Sequence, residues 1–329
     1  MVVLLLVVGG AAILAGAYLF TNAVEWAGHR LRLGEGAVGT LLAAVSTALP
    51  ESVVPVIAVI RGDPDSDDVA IGAIVGAPFM LATVALALVG ITALAFSRRR
   101  RQGRTLEVEA STLRRDLLFF LVLLTAALLL GLGGPALLRY ACAPLFLVAY
   151  GGYVVLTLRH GGERQSDADL PALLADPSKH DPPSNGPIAI QFVVGLALII
   201  GGAHVFVEQL LAVAERLDAS PLVLALILAP LATELPEKAN SLLWIREGKD
   251  SLALGNITGA MVFQATLPVA IGIGLTDWEL DRFAILAALL AATGALVALW
   301  SLHIRRRFTV TAIVAWLALF TAFAVTVAA

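Results

Sequence analysis

Long uninterrupted apolar runs dominate this chain of 329 residues, and they leave few folds open to it. A helix crossing ~30 Å of hydrocarbon needs ~20 apolar residues. Runs of this kind lie at roughly 2–28, 36–60, 69–96, 116–132, 136–158, 188–214, 221–245, 251–275, 282–303 and 308–328. Lipid offers backbone groups no hydrogen-bond partner, so only helices and closed barrels span a bilayer. Barrel strands read as short segments of alternating polarity, and these runs do not alternate. The expected fold is all-α, a polytopic membrane protein of about ten transmembrane helices. Composition agrees, with 59% hydrophobic residues, only 14% charged and a mean hydropathy of +0.90. The apolar start lacks a basic leader and runs on past signal-peptide length, so it reads as the first span.

Basic residues orient the runs. Of the 22 Lys and Arg, seventeen fall in the odd-numbered connections, including "SRRRRQGR" at 97–104 and "RRR" at 305–307. Arg61, Arg139, Arg216 and Arg282 fall at even-numbered ones, and Lys238 lies inside a span. Positive charge stays on the cytoplasmic side, which places both termini outside in the cell membrane. The longest connection, 159–187, is rich in Pro, Gly, Ser and Asp and reads as a mobile cytoplasmic linker, with one short helix expected at "LPALLA". The single cysteine, Cys142, excludes an internal disulfide.

The linker divides a repeat. At a shift of 186, Gly16-Ala17 meets Gly202-Ala203, Phe20 meets Phe206, and Leu49-Pro50-Glu51 meets Leu235-Pro236-Glu237. Past a short insertion the shift is 183, and Gly72 and Gly76 meet Gly255 and Gly259. Each half holds an odd number of spans, so the halves enter the membrane from opposite sides. The expectation is two inverted five-helix repeats, 1–158 and 188–329. In this architecture substrate sites lie near the midplane, where helices are interrupted.

The two Leu-Pro-Glu segments are such interruptions. Proline removes an amide donor and crowds the carbonyl four residues back, here those of Ser46 and Ala232. An ionised carboxylate at that depth must be protonated, paired or bound to a cation, which marks Glu51 and Glu237 as a candidate pair sharing one ion. Thr47 and Thr233 precede them by four residues and so share their helix faces. Carboxylate, carbonyl and hydroxyl oxygens together suit a hard cation. Glu234, Asn256, Thr258 and Gln264 are further polar groups that could face the second carboxylate. Their setting is lopsided, because the first-half counterparts Ala73, Val75 and Leu81 of the last three are apolar. Lys238 either pairs with Glu234 one turn away or serves as a tethered cation or proton relay. "GAIVG" at 72–76 and "GNITG" at 255–259 are spacings that let helices approach closely.

With "STALPE" and "GAIVGAP" in the first half, and "ATELPE" and "GNITGAM" in the second, the chain resembles the cation/calcium exchanger superfamily, that of sodium/calcium exchangers. The resemblance covers essentially the whole chain. It implies that Glu51 and Glu237 bind calcium at the centre and that Thr47 and Thr233 contribute to flanking ion sites. It also implies alternating access, with the first and sixth spans sliding across the other eight. Where the family carries Ser and Asn after its second glycine, this chain has Ala77 and Pro78, and Ala260 and Met261. Sodium sites built on those side chains are thus missing, which favours proton coupling. The implied function is a secondary cation antiporter exchanging Ca2+ against H+ or Na+ without a cofactor. A non-transporting sensor or scaffold that keeps the exchanger fold is the alternative.

The remaining candidates read as structural. His204 and Glu208, one turn apart, are expected as a satisfied buried pair near the interface. "GDPDSDD" at 62–68 reads as a solvated outer loop, and "SRRRRQGR" as a topology determinant touching anionic lipid. Metalloprotease, nucleophile-elbow and phosphate-loop motifs are absent from the sequence, so the chain reads as no enzyme. Its expected partners are inorganic cations and the lipid bilayer, with no nucleic acid.

Overall fold

The computed structural model describes residues 1–30, 49–101, 103, 110–133, 135–160, 172–176, 183–305 and 309–328. Among them the regular structure is helical: α1 (Val2–Arg30), α2 (Leu49–Arg61), α3 (Ser66–Met80), α4 (Leu86–Ala95), α5 (Ala110–Gly131), α6 (Ala136–His160) and α7 (Asn185–Leu217). There follow α8 (Pro221–Thr233), α9 (Leu235–Glu247), α10 (Asp250–Gln264), α11 (Leu267–Leu275), α12 (Arg282–Arg305) and α13 (Val310–Ala328). Seven described segments are long and apolar enough to cross a membrane, the longest being Ser66–Ala95 and Asn185–Leu217. Outward-facing leucine and valine on α1 and α6, such as Val3, Leu4, Leu137 and Val148, suit lipid rather than water.

Small residues decide how the helices meet. Between α1 and α7 the backbones touch: a Cβ added to Gly9 would sit 3.0 Å from the Gly202 carbonyl oxygen, and one on Gly16 2.8 Å from that of Gly195. On α12 the buried alanines 284, 288, 291, 295 and 298 form one stripe, and this helix packs on α3 and α5. Such stripes replace the hydrophobic drive that lipid cannot supply with close van der Waals contact.

Matched positions adopt matched conformations. Gly62 and Gly248, which the 186 shift superposes, both have positive φ, 68° and 80°. Each follows a helix, α2 or α9, where only glycine reverses the chain without strain. The α3–α4 helix passes through a π-turn at Leu81–Ala85, and the α10–α11 helix breaks at Ala265 and Thr266. Those two irregularities fall at the same place under the 183 shift. Thr83 donates to the Phe79 carbonyl at 2.6 Å, and its counterpart Thr266 donates to that of Phe263 at 2.7 Å. Hydroxyls back-bonded in this way satisfy carbonyls that the irregular turn would strand.

Three loop expectations need correction. The described part of "LPALLA", 172–175, is a turn and not a helix. It docks: Leu173 is buried with Trp26 and Ile188, and the Ala175 amide donates to Gln191 Oε1 at 2.8 Å. Gln191 Nε2 in turn donates to the Leu19 carbonyl and to Asn22 Oδ1, at 2.9 and 2.8 Å. In the acidic stretch, Asp67 and Asp68 lie in the first turn of α3, where negative charge suits the helix dipole. In the arginine run, Arg100 is buried and ion-paired with Asp250 at the start of α10, so it ties helices and does not touch lipid. A buried carboxylate this close to a guanidinium outcompetes headgroup contact.

The docked turn makes a prediction. Gln191→Ala removes one acceptor and two donors at once, leaving buried partners unsatisfied. Proteolysis within 172–176 in reconstituted protein is expected to speed up on the order of tenfold. An unchanged cleavage rate would contradict the docking.

Candidate functional site

The second Leu-Pro-Glu segment folds as its proline dictates. Helix α8 ends at Thr233, Glu234 leaves helical geometry at φ −92° and ψ 3°, and α9 restarts with Pro236 in its first turn. Proline costs nothing there, because the first amides of a helix lack intrahelical acceptors. The break lies inside an apolar run, with Ala232 and Thr233 buried on one side of it. Thr233 donates to the Ala229 carbonyl at 3.1 Å, so its hydroxyl oxygen keeps lone pairs to offer.

Glu234 is fully enclosed. Lys238 Nζ donates to its Oε2 at 2.7 Å, and Gln264 Nε2 donates to its Oε1 at 3.2 Å. The helical pair expected from spacing therefore forms, and α10 adds a third member at its break. Asn256 donates to Ser241 Oγ at 3.1 Å, and Ser241 donates to the Ala253 carbonyl at 3.3 Å. Ser241 thus sets the side of α9 that faces α10, and Glu237 directly precedes Lys238 on the same helix. Its own side chain lies outside the described residues.

In the first half, α2 begins at Leu49, and Glu51 is buried in its first turn beside Pro50. Ser46 and Thr47 lie outside the described residues. Helix α2 packs against α3, α7 and α11. The "GAIVG" glycines do close the helices up: a Cβ on Gly72 or Gly76 would lie 2.3 or 2.2 Å from the carbonyl oxygen of Leu222 or Leu226 on α8. Helix α1 reaches the same place, because a Cβ on Gly10 would contact that of Ala232 at 3.4 Å. The long crossing helices therefore lean directly on the broken one.

Two expectations fail here. Thr258 does not face the second carboxylate; it donates at 2.9 Å to Asp116, a buried aspartate on α5 that Arg115 also contacts at 3.1 Å. Asp116 went unnoticed because it opens an apolar run directly after two arginines and so resembles an interfacial charge. His204 and Glu208 are exposed and not a buried pair. They stand beside Arg61, whose Nη1 is 3.4 Å from His204 Nε2 and 4.0 Å from Glu208. The 3.6-residue period rotates both off the buried side of α7 that carries Ala203, Phe206, Val207 and Leu210.

Known proteins resemble this chain in sequence and in fold. CaxA of Alkalimonas amylolytica, a candidate antiporter by its name, is 28% identical over 257 residues, 78% of this chain and 75% of that protein. The inner membrane protein YrbG of Escherichia coli K12 is 25% identical over 250 residues, 75% of this chain and 71% of its own. Among solved structures, the H+/Ca2+ exchanger CAX superposes with a TM-score of 0.72 at 21% identity, covering 98% of this chain and 81% of its own. The family described as sodium/calcium exchanger protein matches residues 1–159 and 188–329, both halves and neither side of the linker left out. An apolar helical chain, broken at a Leu-Pro-Glu within an apolar run and matched over both halves, belongs to the sodium/calcium exchanger family.

Proposed function

We propose that this chain is a secondary antiporter that moves Ca2+ across the cell membrane against H+ or Na+, by alternating access at a site shared by Glu51 and Glu237. The observation that carries the reading is the break at Glu234, which starts α9 within an apolar run with Glu237 in its first turn. Its counterpart is the burial of Glu51 in the first turn of α2. Thr47 and Thr233 and the carbonyls of Ser46 and Ala232 complete an oxygen-rich ligand set for a hard cation. Asn256 flanks it through Ser241.

In this reading ten helices cross the membrane as two inverted halves, 1–158 and 188–329, joined by the cytoplasmic linker 159–187. Reciprocal contacts support the inversion: the 186 shift exchanges the Gly9–Gly202 contact with the Gly16–Gly195 contact. Packing of α5 on α10 is likewise answered by packing of α12 on α3. Both termini face outward, as the basic residues require. Helices α1 and α7 slide as a pair, since glycines hold their backbones together without interlocking side chains. Gradients of H+ or Na+ drive the cycle, and no cofactor is needed. Proton coupling draws support from Ala77, Pro78, Ala260 and Met261 at the family's Ser and Asn positions. The structural likeness to a protein titled as an H+/Ca2+ exchanger points the same way.

Calcium uptake into proteoliposomes under imposed proton or sodium gradients tests the reading. Uptake that follows one gradient and stops on its collapse is the expected result. A well-folded protein that moves none of the tested cations would favour the sensor or scaffold.

A further inference from the structure

We propose that the Lys238 ammonium is the tethered occupant of a site for a small monovalent cation, built by Glu234 and Gln264. The inference rests on the reading that this broken segment belongs to the ion path. Glu234 is fully enclosed, and each of its oxygens receives one donor, Lys238 Nζ at 2.7 Å and Gln264 Nε2 at 3.2 Å. Gln264 is itself buried, 2% exposed, and among the described residues its Oε1 has no hydrogen-bond partner. The enclosed carboxylate supplies the anionic oxygens a cation needs at this helix break, and the amide of Gln264, bonded to it through nitrogen, carries that unused oxygen acceptor beside it. An ammonium group fills the site with a charge that cannot leave.

Symmetry strengthens the case. The positions matching Glu234, Lys238 and Gln264 in the first half are Ala48, Ser52 and Leu81, with neither charge nor amide. The ion pair is therefore peculiar to the second half, since the matching residues of the first half cannot form one. Buried ion pairs also seldom stabilise a protein more than well-packed apolar residues would. Its presence in one half suits a bound charge better than a structural strut.

The Lys238→Met variant keeps the stem and removes the charge, leaving Glu234 for a cation from water. Thermal unfolding of the purified full chain in detergent is the measurement, in choline, sodium, potassium or methylammonium chloride at one ionic strength. Wild type is expected to melt at the same temperature in all four. Lys238→Met should melt on the order of 5 °C lower in choline, and at least one small cation should restore it. Adding Gln264→Ala should raise the concentration needed for half-restoration roughly fivefold or more. The Glu234→Gln, Lys238→Met double variant, with no charge to balance, should be indifferent to the salt. A Lys238→Met chain as stable as wild type in choline overturns the proposal. So does one that none of the small cations restores, including a chain that folds in no salt while the double variant folds. If wild type moves no calcium, the antiporter reading fails, while the melting comparison still decides the cation site.

Discussion

Glu51→Gln and Glu237→Gln are each expected to lower gradient-driven calcium uptake at least about 100-fold while leaving the protein folded. Glutamine keeps the size and one oxygen of the side chain and removes only its charge. A divalent ion that has shed water deep in the bilayer depends on that charge, and losing it costs roughly 3 kcal/mol of binding or more, or about 100-fold in affinity. Glu208→Gln is the control, since Glu208 is exposed and its side chain keeps 51% of its accessible area. That variant should transport as wild type does. Should either central variant keep full uptake, the shared-carboxylate site is wrong, whatever the family.

Gly76→Val is expected to damage folding severely. Its Cβ would come 2.2 Å from the Leu226 carbonyl oxygen, and backbone cannot yield by changing rotamer. Relief requires α3 and α8 to separate, which would open the packing behind the broken helix. A cost of roughly 3 kcal/mol or more, seen as a fall of roughly 5–10 °C in melting temperature, is the expected size. Gly151→Val is the comparison, because among the described residues an added Cβ there meets nothing within 4 Å. Equal melting of the two variants would refute the close approach of α3 and α8.

Much of this was legible in residue order because its causes are local. Apolar length forces helices in lipid, and Pro236 removes an amide donor and so favours a helix start at its own position. The end of α8 at Thr233 and the restart of α9 at Leu235 fit that residue at the start of a helix. The Glu234–Lys238 pair is local as well, one helical turn in span. Cross-helix partners were not legible. Helices that are apolar all round carry no stripe to say which side faces protein, so the rotation of each about its axis is hidden. Thr258 accordingly faces not the second carboxylate but Asp116 on α5, a partner that residue order does not reveal. His204 and Glu208 were placed inside when they lie outside.

The linker shows the same division. Its composition reads as unstructured, and nothing in the order of residues 172–176 announces a partner. Asn22 and Gln191 supply one, from helices far apart in the chain, α1 and α7. Sequence alone determined that this protein is a bundle of membrane helices whose two halves each carry a Leu-Pro-Glu, the second of them at a helix break. Tertiary structure alone decided that Gln264 joins Glu234 and Lys238, that Arg100 meets Asp250, and that α1 lies against α7 along its glycines. Local chemistry sets where a helix starts and stops, but only packing against a particular neighbour selects which polar group it must satisfy.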